Sequence, residues 1–94
     1  MWMLVATPPF TSVELFDAVT ETAGEAEGLL ARYCGAAEGT LRVVTLWASR
    51  EHAERFVAER LGPAFATVLG PEPAGRPEMI GLEVVRSWAS QPVG

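Results

Sequence analysis

Few side chains in this sequence can carry chemistry. His52 is the only histidine and Cys34 the only cysteine. Near neutral pH, His52 could act as a general base that takes a proton from a phenol or an enol. It is predicted in the first turn of a helix, where the helix dipole disfavours the protonated ring. The alternative is a solvated surface histidine beside Ser49 and Glu51.

Two aromatic residues and a threonine could position a planar ligand. Trp47 ends a predicted strand, where its ring can stack on a substrate and its indole N–H can donate a hydrogen bond. Thr45 lies on the same strand face and is predicted to bind the same substrate. Tyr33, on the preceding strand, could donate to a substrate carbonyl and is a candidate catalytic residue with His52. The alternatives are a core residue at the strand-to-helix corner for Trp47 and an interface or core residue for Tyr33.

Two of the arginines lie within predicted strands. All seven basic residues are arginines, and Arg32 and Arg42 are the two in question. An arginine in a strand must form an ion pair, extend its charge to water or bind an anion. We predict that Arg42 contributes to substrate binding. An ion pair with Glu83 on the last strand is the simpler alternative for these arginines.

The other reactive residues argue against several kinds of site. One histidine, one cysteine and scattered acids do not form a ligand set, so no metal site is predicted. Gly35 and Gly39 flank a turn that precedes a strand, which does not suit a phosphate-binding loop. Asp17 is the only aspartate and lies within a helix, so a Ser-His-Asp triad cannot be argued. Cys34 has no evident base nearby, and an inert, buried thiol is predicted.

Length and composition predict one small acidic domain. The chain has 94 residues, of which 49% are apolar, and this is enough for a single core. Its net charge of −5 would repel a phosphate backbone, which argues against nucleic acid as a partner. No apolar run approaches the roughly 20 residues that span a bilayer. We expect a cytoplasmic domain over residues 1–94, with its core in 1–87 and a tail in 88–94, and no membrane partner.

Alternating strands and helices must position these residues. Strands are predicted over 2–6, 29–34, 41–48 and 79–85, with a glycine-rich turn over 35–39 and a Pro/Gly loop over 70–77. Thr11 and Glu14 form a capping box, with Thr11 as the N-cap of the first helix. Ser49 is the predicted N-cap of the second helix. Gly62 and Pro63 should kink or break that helix before a second piece over 64–69.

This element order fits a ferredoxin-like βαββαβ fold of the α+β class. Such a fold has a four-stranded antiparallel sheet with two helices on one face. The bare face would show Val44 and Leu46, together with Ile80, Leu82 and Val84 or their alternates. A bare apolar face is an aggregation liability, and the same face of a second copy is the simplest symmetric cover. We therefore predict a homodimer.

A strand that ends in Trp47, Ala48 and Ser49 runs into a helix that opens with a glutamate, an alanine and an aromatic residue. The helix residues concerned are Glu51, Ala53 and Phe56. This pattern, within residues 43–56, resembles the antibiotic biosynthesis monooxygenase family of the dimeric α/β-barrel superfamily. The similarity of element order extends over residues 1–87. The resemblance implies a dimeric α/β barrel with a ligand pocket in each subunit, between the sheet and the helices.

The resemblance also implies possible chemistries. These are cofactor-free oxidation of polycyclic phenols to quinones, haem degradation, and cyclisation or isomerisation of small metabolites. The haem-degrading branch has an asparagine on the first strand, a tryptophan on the third and a histidine later in the second helix. Only Trp47 matches, because the chain has no asparagine and Val57 stands ten residues after Trp47. His52 comes too early in the helix for that role.

We therefore expect a small cofactor-independent monooxygenase-like enzyme of secondary metabolism, acting on a planar aromatic or polyketide-like molecule. One alternative is a polyketide cyclase or isomerase on the same fold, which needs a base but no oxygen. Another is a non-catalytic homodimeric module that binds a small hydrophobic molecule or a partner protein. The few titratable groups expected around the pocket favour this last alternative.

Overall fold

A computed structural model describes residues 1–70 and 78–88 of the chain. The strands are β1 (Trp2–Thr7), β2 (Leu29–Ala37), β3 (Thr40–Trp47) and β4 (Glu78–Glu83). The helices are α1 (Val13–Ala23), α2 (Arg50–Phe56) and α3 (Gly62–Leu69), with a π-helical turn (Val57–Leu61) between the last two. The predicted α+β class and βαββαβ order are confirmed. The predicted loop from residue 71 onwards and the tail beyond residue 88 lie outside the described residues.

The four strands form one antiparallel sheet in the order β2-β3-β1-β4. In one row across it, Thr45 pairs with both Leu4 and Arg32, and Leu4 also pairs with Gly81. Since side chains alternate along a strand, this row faces the helices and the adjacent rows face away from them. One row that faces away contains Tyr33, Val44, Val5 and Ile80.

The core lies between the sheet and the helices. Its buried members are Val19, Ala23, Trp47, Ala53, Phe56 and Ala64. Three of these are alanines, one on each helix, and small side chains let helices approach each other and the sheet closely. Trp47 is the largest fully buried side chain of the described residues, with 1% of its surface exposed. The residue at the end of β3 is therefore fixed by packing from every side.

The first helix begins one residue later than the capping box predicts. Ser12, not Thr11, is the N-cap, because its Oγ accepts a hydrogen bond from the backbone N–H of Leu15 at 3.3 Å. The Ser12 hydroxyl also donates to Glu14 Oε2 at 2.9 Å. Serine and threonine share the same capping chemistry, so two adjacent hydroxyl residues cannot be separated by sequence pattern alone.

The predicted turn over 35–39 is wrong in extent. Gly35, Ala36 and Ala37 belong to β2, where Gly35 pairs with Arg42 and Ala37 pairs with Thr40. Only two residues turn the chain, Glu38 with φ of 52° and Gly39 with φ of 76°. Two successive positive φ values are typical of a type I′ hairpin turn, whose twist matches that of the strands. Pairing with β3 therefore outweighs the weak strand preference of Gly35.

The second helix is not broken at Gly62 and Pro63. The backbone remains right-handed helical there, with φ of −56° and ψ of −53° at Gly62. The irregularity is the π-helical turn before it, in which the Gly62 N–H bonds the carbonyl of Val57, five residues earlier. Proline lacks an N–H and crowds the preceding turn. A wider turn just before it, with proline in the first turn of α3, accommodates both effects.

Candidate ligand cavity

An apolar cavity lies between the sheet and the helices. Its empty volume is about 630 Å³, counting the part that is open to solvent. Among the described residues that line it, only Thr20, Thr45 and Arg32 are polar. Its aromatic lining consists of Phe10, Phe16, Trp47, Phe56 and Phe65. An apolar space with aromatic walls suits a flat hydrophobic molecule.

Trp47 and Thr45 both line this cavity, as their shared strand face requires. The Trp47 indole N–H donates to Thr45 Oγ1 at 2.9 Å. The Trp47 ring also lies 5.1 Å from the Phe56 ring, centroid to centroid, at an interplanar angle of 43°. The predicted free indole donor is therefore wrong, because a buried N–H needs a partner and Thr45 supplies it. Trp47 is a core residue and a cavity wall at once.

His52 lies outside this cavity, on the other side of α2. Its Nδ1 is 2.8 Å from Ser49 Oγ, and Ser49 Oγ accepts the backbone N–H of His52 at 3.2 Å. Ser49 is the N-cap of α2, as predicted. Ala53 and Phe56 lie on the side of α2 that packs into the core. His52 lies on another side of the helix and lines a separate groove. The structure therefore does not bring His52 and Trp47 into one site.

The groove beside His52 is polar. Its other lining residues are Glu25, Glu27, Arg55, Phe56, Glu59 and Arg60. The His52 ring packs against Gly28, where a Cβ would come within 2.4 Å of the ring. Gly28 also has φ of 84°, a conformation that favours glycine. The ring of His52 is thus confined between Ser49 and the backbone of Gly28.

Tyr33 and Arg42 lie on the sheet face that no helix covers. Tyr33 is 63% exposed. Arg42 Nη1 donates to Thr7 Oγ1 at 2.8 Å. Because strand alternation turns both side chains away from the cavity, neither reaches a ligand inside it. The predicted ion pair with Glu83 does not form, since Glu83 instead faces the N-terminal ammonium at 3.7 Å.

Arg32 was not assigned to the site by sequence, yet it is the one charged side chain among the described cavity residues. It pairs with Thr45 across the sheet, and its guanidinium carbon lies 5.9 Å from the Phe56 ring centroid. Burial lowers the pKa of Arg32, and the side chain stays protonated at neutral pH. With the turn at residues 38–39, paired residues of β2 and β3 have numbers that add to 77, so Arg32 is opposite Thr45. The sequence prediction placed the turn too early and therefore did not pair Arg32 with Thr45.

Cys34 is exposed, contrary to the predicted buried thiol. It lies on β2, an edge strand, which leaves its side uncovered. Partial burial and the negative charge of Asp17 raise the pKa of the Cys34 thiol. A raised pKa disfavours the thiolate, which is the nucleophilic form. The thiol is therefore a poor nucleophile because partial burial, and to a lesser degree the charge of Asp17, disfavours its thiolate.

The side chains that could bind a metal or a haem are few in the described part of the chain. No group of three or more His, Cys, Asp and Glu side chains is placed to hold a metal ion within residues 1–70 and 78–88. Val57 lines the cavity but offers no ligating atom. The described lining residues include no imidazole, thiol or phenol, and the thioether of Met79 is the one haem-ligating side-chain group among them.

No helix in the described ranges is long and apolar enough to cross a membrane.

Comparisons with known proteins give a consistent likeness of fold. No family model matches the sequence, and no curated protein matches it. A mutant of MhuD with two manganese protoporphyrin IX molecules bound per active site is 16% identical with a TM-score of 0.69, over 96% of this chain and 100% of that one. An antibiotic biosynthesis monooxygenase is 14% identical with a TM-score of 0.65, over 92% of this chain and 100% of that one.

A third similar structure contains an organic ligand. It is a monooxygenase from the gene ActVA-Orf6 of Streptomyces coelicolor, in complex with nanaomycin D. That protein is 17% identical with a TM-score of 0.65, over 96% of this chain and 92% of that one. At such identities, the likeness establishes the fold.

Proposed function

This chain has the fold of the antibiotic biosynthesis monooxygenases, and from that premise we propose that it is a cofactor-independent monooxygenase for a planar aromatic or polyketide-like molecule. The observation that carries the proposal is the apolar cavity walled by aromatic rings. Such a cavity gains free energy from a flat hydrophobic ligand, because both surfaces leave water on binding. The likeness to a monooxygenase that holds nanaomycin D supports a small organic ligand.

Trp47 and Thr45 carry the binding part of the proposal. The Trp47 N–H is already bonded to Thr45 and its side chain is 1% exposed, so Trp47 contributes an apolar wall to the cavity. A hydroxyl can accept and donate at the same time. Thr45 accepts from Trp47 and can still donate its own hydrogen to a ligand oxygen. The pair therefore provides one apolar wall and one donor, two residues apart on β3.

The proposed reaction is the oxidation of a phenol to a quinone by molecular oxygen. One oxygen atom becomes the new carbonyl and the other leaves as water, with the two hydrogens that the phenol loses. The substrate supplies the electrons, so no further reductant is needed. The protein would hold the ring and keep water away from it. His52, Tyr33 and Arg42 have no part in this proposal, because none of them lines the cavity.

Oxygen uptake tests this function. We expect 1-naphthol or 1,8-dihydroxyanthrone to consume one molecule of oxygen for each molecule of quinone formed. Val57→Phe should fill the cavity and lower the rate at least tenfold. Val13→Phe is the matched control, because Val13 is 51% exposed on α1 and does not line the cavity. No oxygen uptake with either phenol, while either one binds, would contradict an oxygenase.

A non-catalytic ligand-binding module is the second candidate. It is favoured by the absence of any carboxylate or imidazole base among the described lining residues. The same absence disfavours a cyclase or isomerase, which must move a proton. Titration calorimetry with 1-naphthol separates the two candidates, since the module predicts saturable binding without oxygen uptake.

We also propose that the bare sheet face is covered by a second copy of the chain. Its exposed apolar side chains include Tyr33 at 63%, Ile80 at 62% and Leu82 at 47%. The half-buried Val44 and Leu46 lie among them. A twofold axis through this face would bury the same apolar patch from both copies at once. Trp88, at 88% exposure just beyond β4, is a further side chain available to such an interface.

A further inference from the structure

Arg32 is placed unusually for a strand arginine. It lies on β2 between the sheet and the helices, in a cavity whose other described polar lining consists of two threonines. Its position relative to the sheet is set by pairing with Thr45, so its side chain enters the cavity beside the donor of the proposed ligand site. A positive charge is therefore built into an otherwise apolar space.

That charge has no counter-ion among residues 1–70 and 78–88. The two carboxylates in ion pairs are Glu54, with Arg50 at 2.7 Å, and Glu83, with the N-terminal ammonium. The Arg32 side chain makes no hydrogen bond within the same part of the chain. Its guanidinium carbon lies 5.9 Å from the Phe56 ring centroid, and this contact is not a hydrogen bond from any of its five N–H donors.

Arg42 and Arg50 show the ordinary arrangement. Arg42 bonds Thr7 on the open face, and Arg50 bonds Glu54 and lies 4.9 Å from the Trp2 ring centroid. Both are exposed, so water completes their hydrogen bonding. Arg32 is half-buried, and desolvation is the one cause that shifts its pKa, downwards. Removing an arginine from water without a partner costs free energy that an anion in the cavity would return.

We propose that Arg32 selects the ligand by binding an ionised oxygen at one end of a planar apolar molecule. This rests on the proposed use of the cavity as the ligand site. The oxygen can belong to a phenolate, an enolate or a carboxylate, all of which accept the paired N–H donors of a guanidinium. The aromatic walls would hold the apolar rings, and Arg32 would fix which end of the molecule enters first.

The proposal also gives Arg32 a role in reactivity. A nearby positive charge stabilises an ionised phenol or enol relative to its neutral form. The ionised form is the electron-rich one, which reacts more readily with oxygen. Arg32 would thus supply the charge stabilisation that the cavity lacks in the absence of a base among its described lining residues. It binds the reactive form of the substrate instead of removing the proton.

A matched pair of ligands tests this inference. Calorimetry should show 2-naphthoate binding at least tenfold more tightly than 2-naphthamide, which has nearly the same shape and no charge. Arg32→Met should abolish the preference, and Arg32→Lys should retain part of it. Arg55→Met is the control: Arg55 is exposed in the polar groove, and its loss should leave the preference intact. Circular dichroism checks that each variant is folded.

The outcomes separate the two proposals. Equal affinity of the unchanged protein for naphthoate and naphthamide would overturn the role of Arg32 and leave the cavity as the ligand site. A preference that survives in Arg32→Met would overturn it as well. Binding of neither ligand would overturn the proposed function, and this inference with it. Should Arg32→Met fail to fold, the ligand pair on the unchanged protein and on Arg32→Lys still decides.

Discussion

The two faces of the sheet are similar in chemistry and opposite in surroundings. The same strands supply both, so Trp47 faces the helices while Leu46, its neighbour, faces away. Trp47 is 1% exposed, whereas Ile80 on the other face is 62% exposed. The apolar residues on the sheet face that the helices cover form the core, and those on the other face remain exposed. The covered face keeps a cavity between its aromatic rings, and the bare face offers an apolar surface to a second copy.

The largest expected effect comes from emptying the covered face. Trp47→Ala should lower the free energy of unfolding by about 3–5 kcal/mol, because it removes a buried ring and its packing. Tyr33→Ala, on the bare face, should cost under about 1 kcal/mol. Urea unfolding of both variants, each with Ile80→Asp added so that association does not contribute, measures the difference. A Tyr33→Ala cost equal to that of Trp47→Ala would mean that the faces are not distinct in this way.

Charge on the bare face should break the proposed dimer and leave the fold intact. We expect a mass of twice 10.1 kDa in light scattering for the unchanged protein. Ile80→Asp should weaken association at least a hundredfold, because a twofold axis buries the new charge twice. Val13→Asp is the control, since it adds the same charge to an exposed helix residue. If the unchanged protein is a monomer at high concentration, the proposal that a second copy covers the bare sheet face is refuted.

Gly28 and Gly39 both have a positive φ, but only Gly28 lies against another side chain, the ring of His52. Comparing the two positions tests how tightly that ring is packed. Gly28→Ala should destabilise by about 2–3 kcal/mol, because the positive φ is strained and the new methyl group displaces His52. Gly39→Ala has the same strain at φ of 76° but no atom within 4 Å, so about 1 kcal/mol is expected. Thermal unfolding compares them. Equal losses would show that His52 moves aside freely.

The smallest expected effect concerns Cys34. Its raised thiol pKa predicts slower alkylation by iodoacetamide at pH 7.5 than that of free cysteine, since less thiolate is present. Asp17→Asn should raise the rate a few-fold by removing a negative charge that disfavours the thiolate. Glu21→Gln, also exposed on α1, serves as the control. A rate that does not respond to Asp17→Asn would assign the shift to burial alone.

Much of the fold was predictable because it follows from periodicity. The alternation over β3 and the cap at Ser49 are local patterns, and they gave the element order and the face of Trp47. The shift from Thr11 to Ser12 was not predictable, because two hydroxyl residues compete for one position with equal chemistry. The π-helical turn was hidden too, since a proline predicts an irregularity and not its kind.

The candidate site was predictable only in part. Trp47 and Thr45 were found because they share one strand. His52 was placed with them because it is the only histidine and could act as a base, but its position on the helix directs it to a different groove. Arg32 was missed because its partner depends on strand register, and the turn that sets the register was placed too early. Contacts between residues of one strand or helix can be predicted from the sequence. Contacts between two strands can be predicted only when the register of their pairing is known.

The central claim is that a planar ligand enters the cavity on the covered face. The chain has three tryptophans, so its nitrogen-15 NMR spectrum should show three indole N–H signals, assignable with single Trp→Phe variants. On titration with 1-naphthol, the Trp47 signal should move, while that of Trp88, 88% exposed beyond β4, should not. Movement of the Trp88 signal with a stationary Trp47 signal would contradict the account.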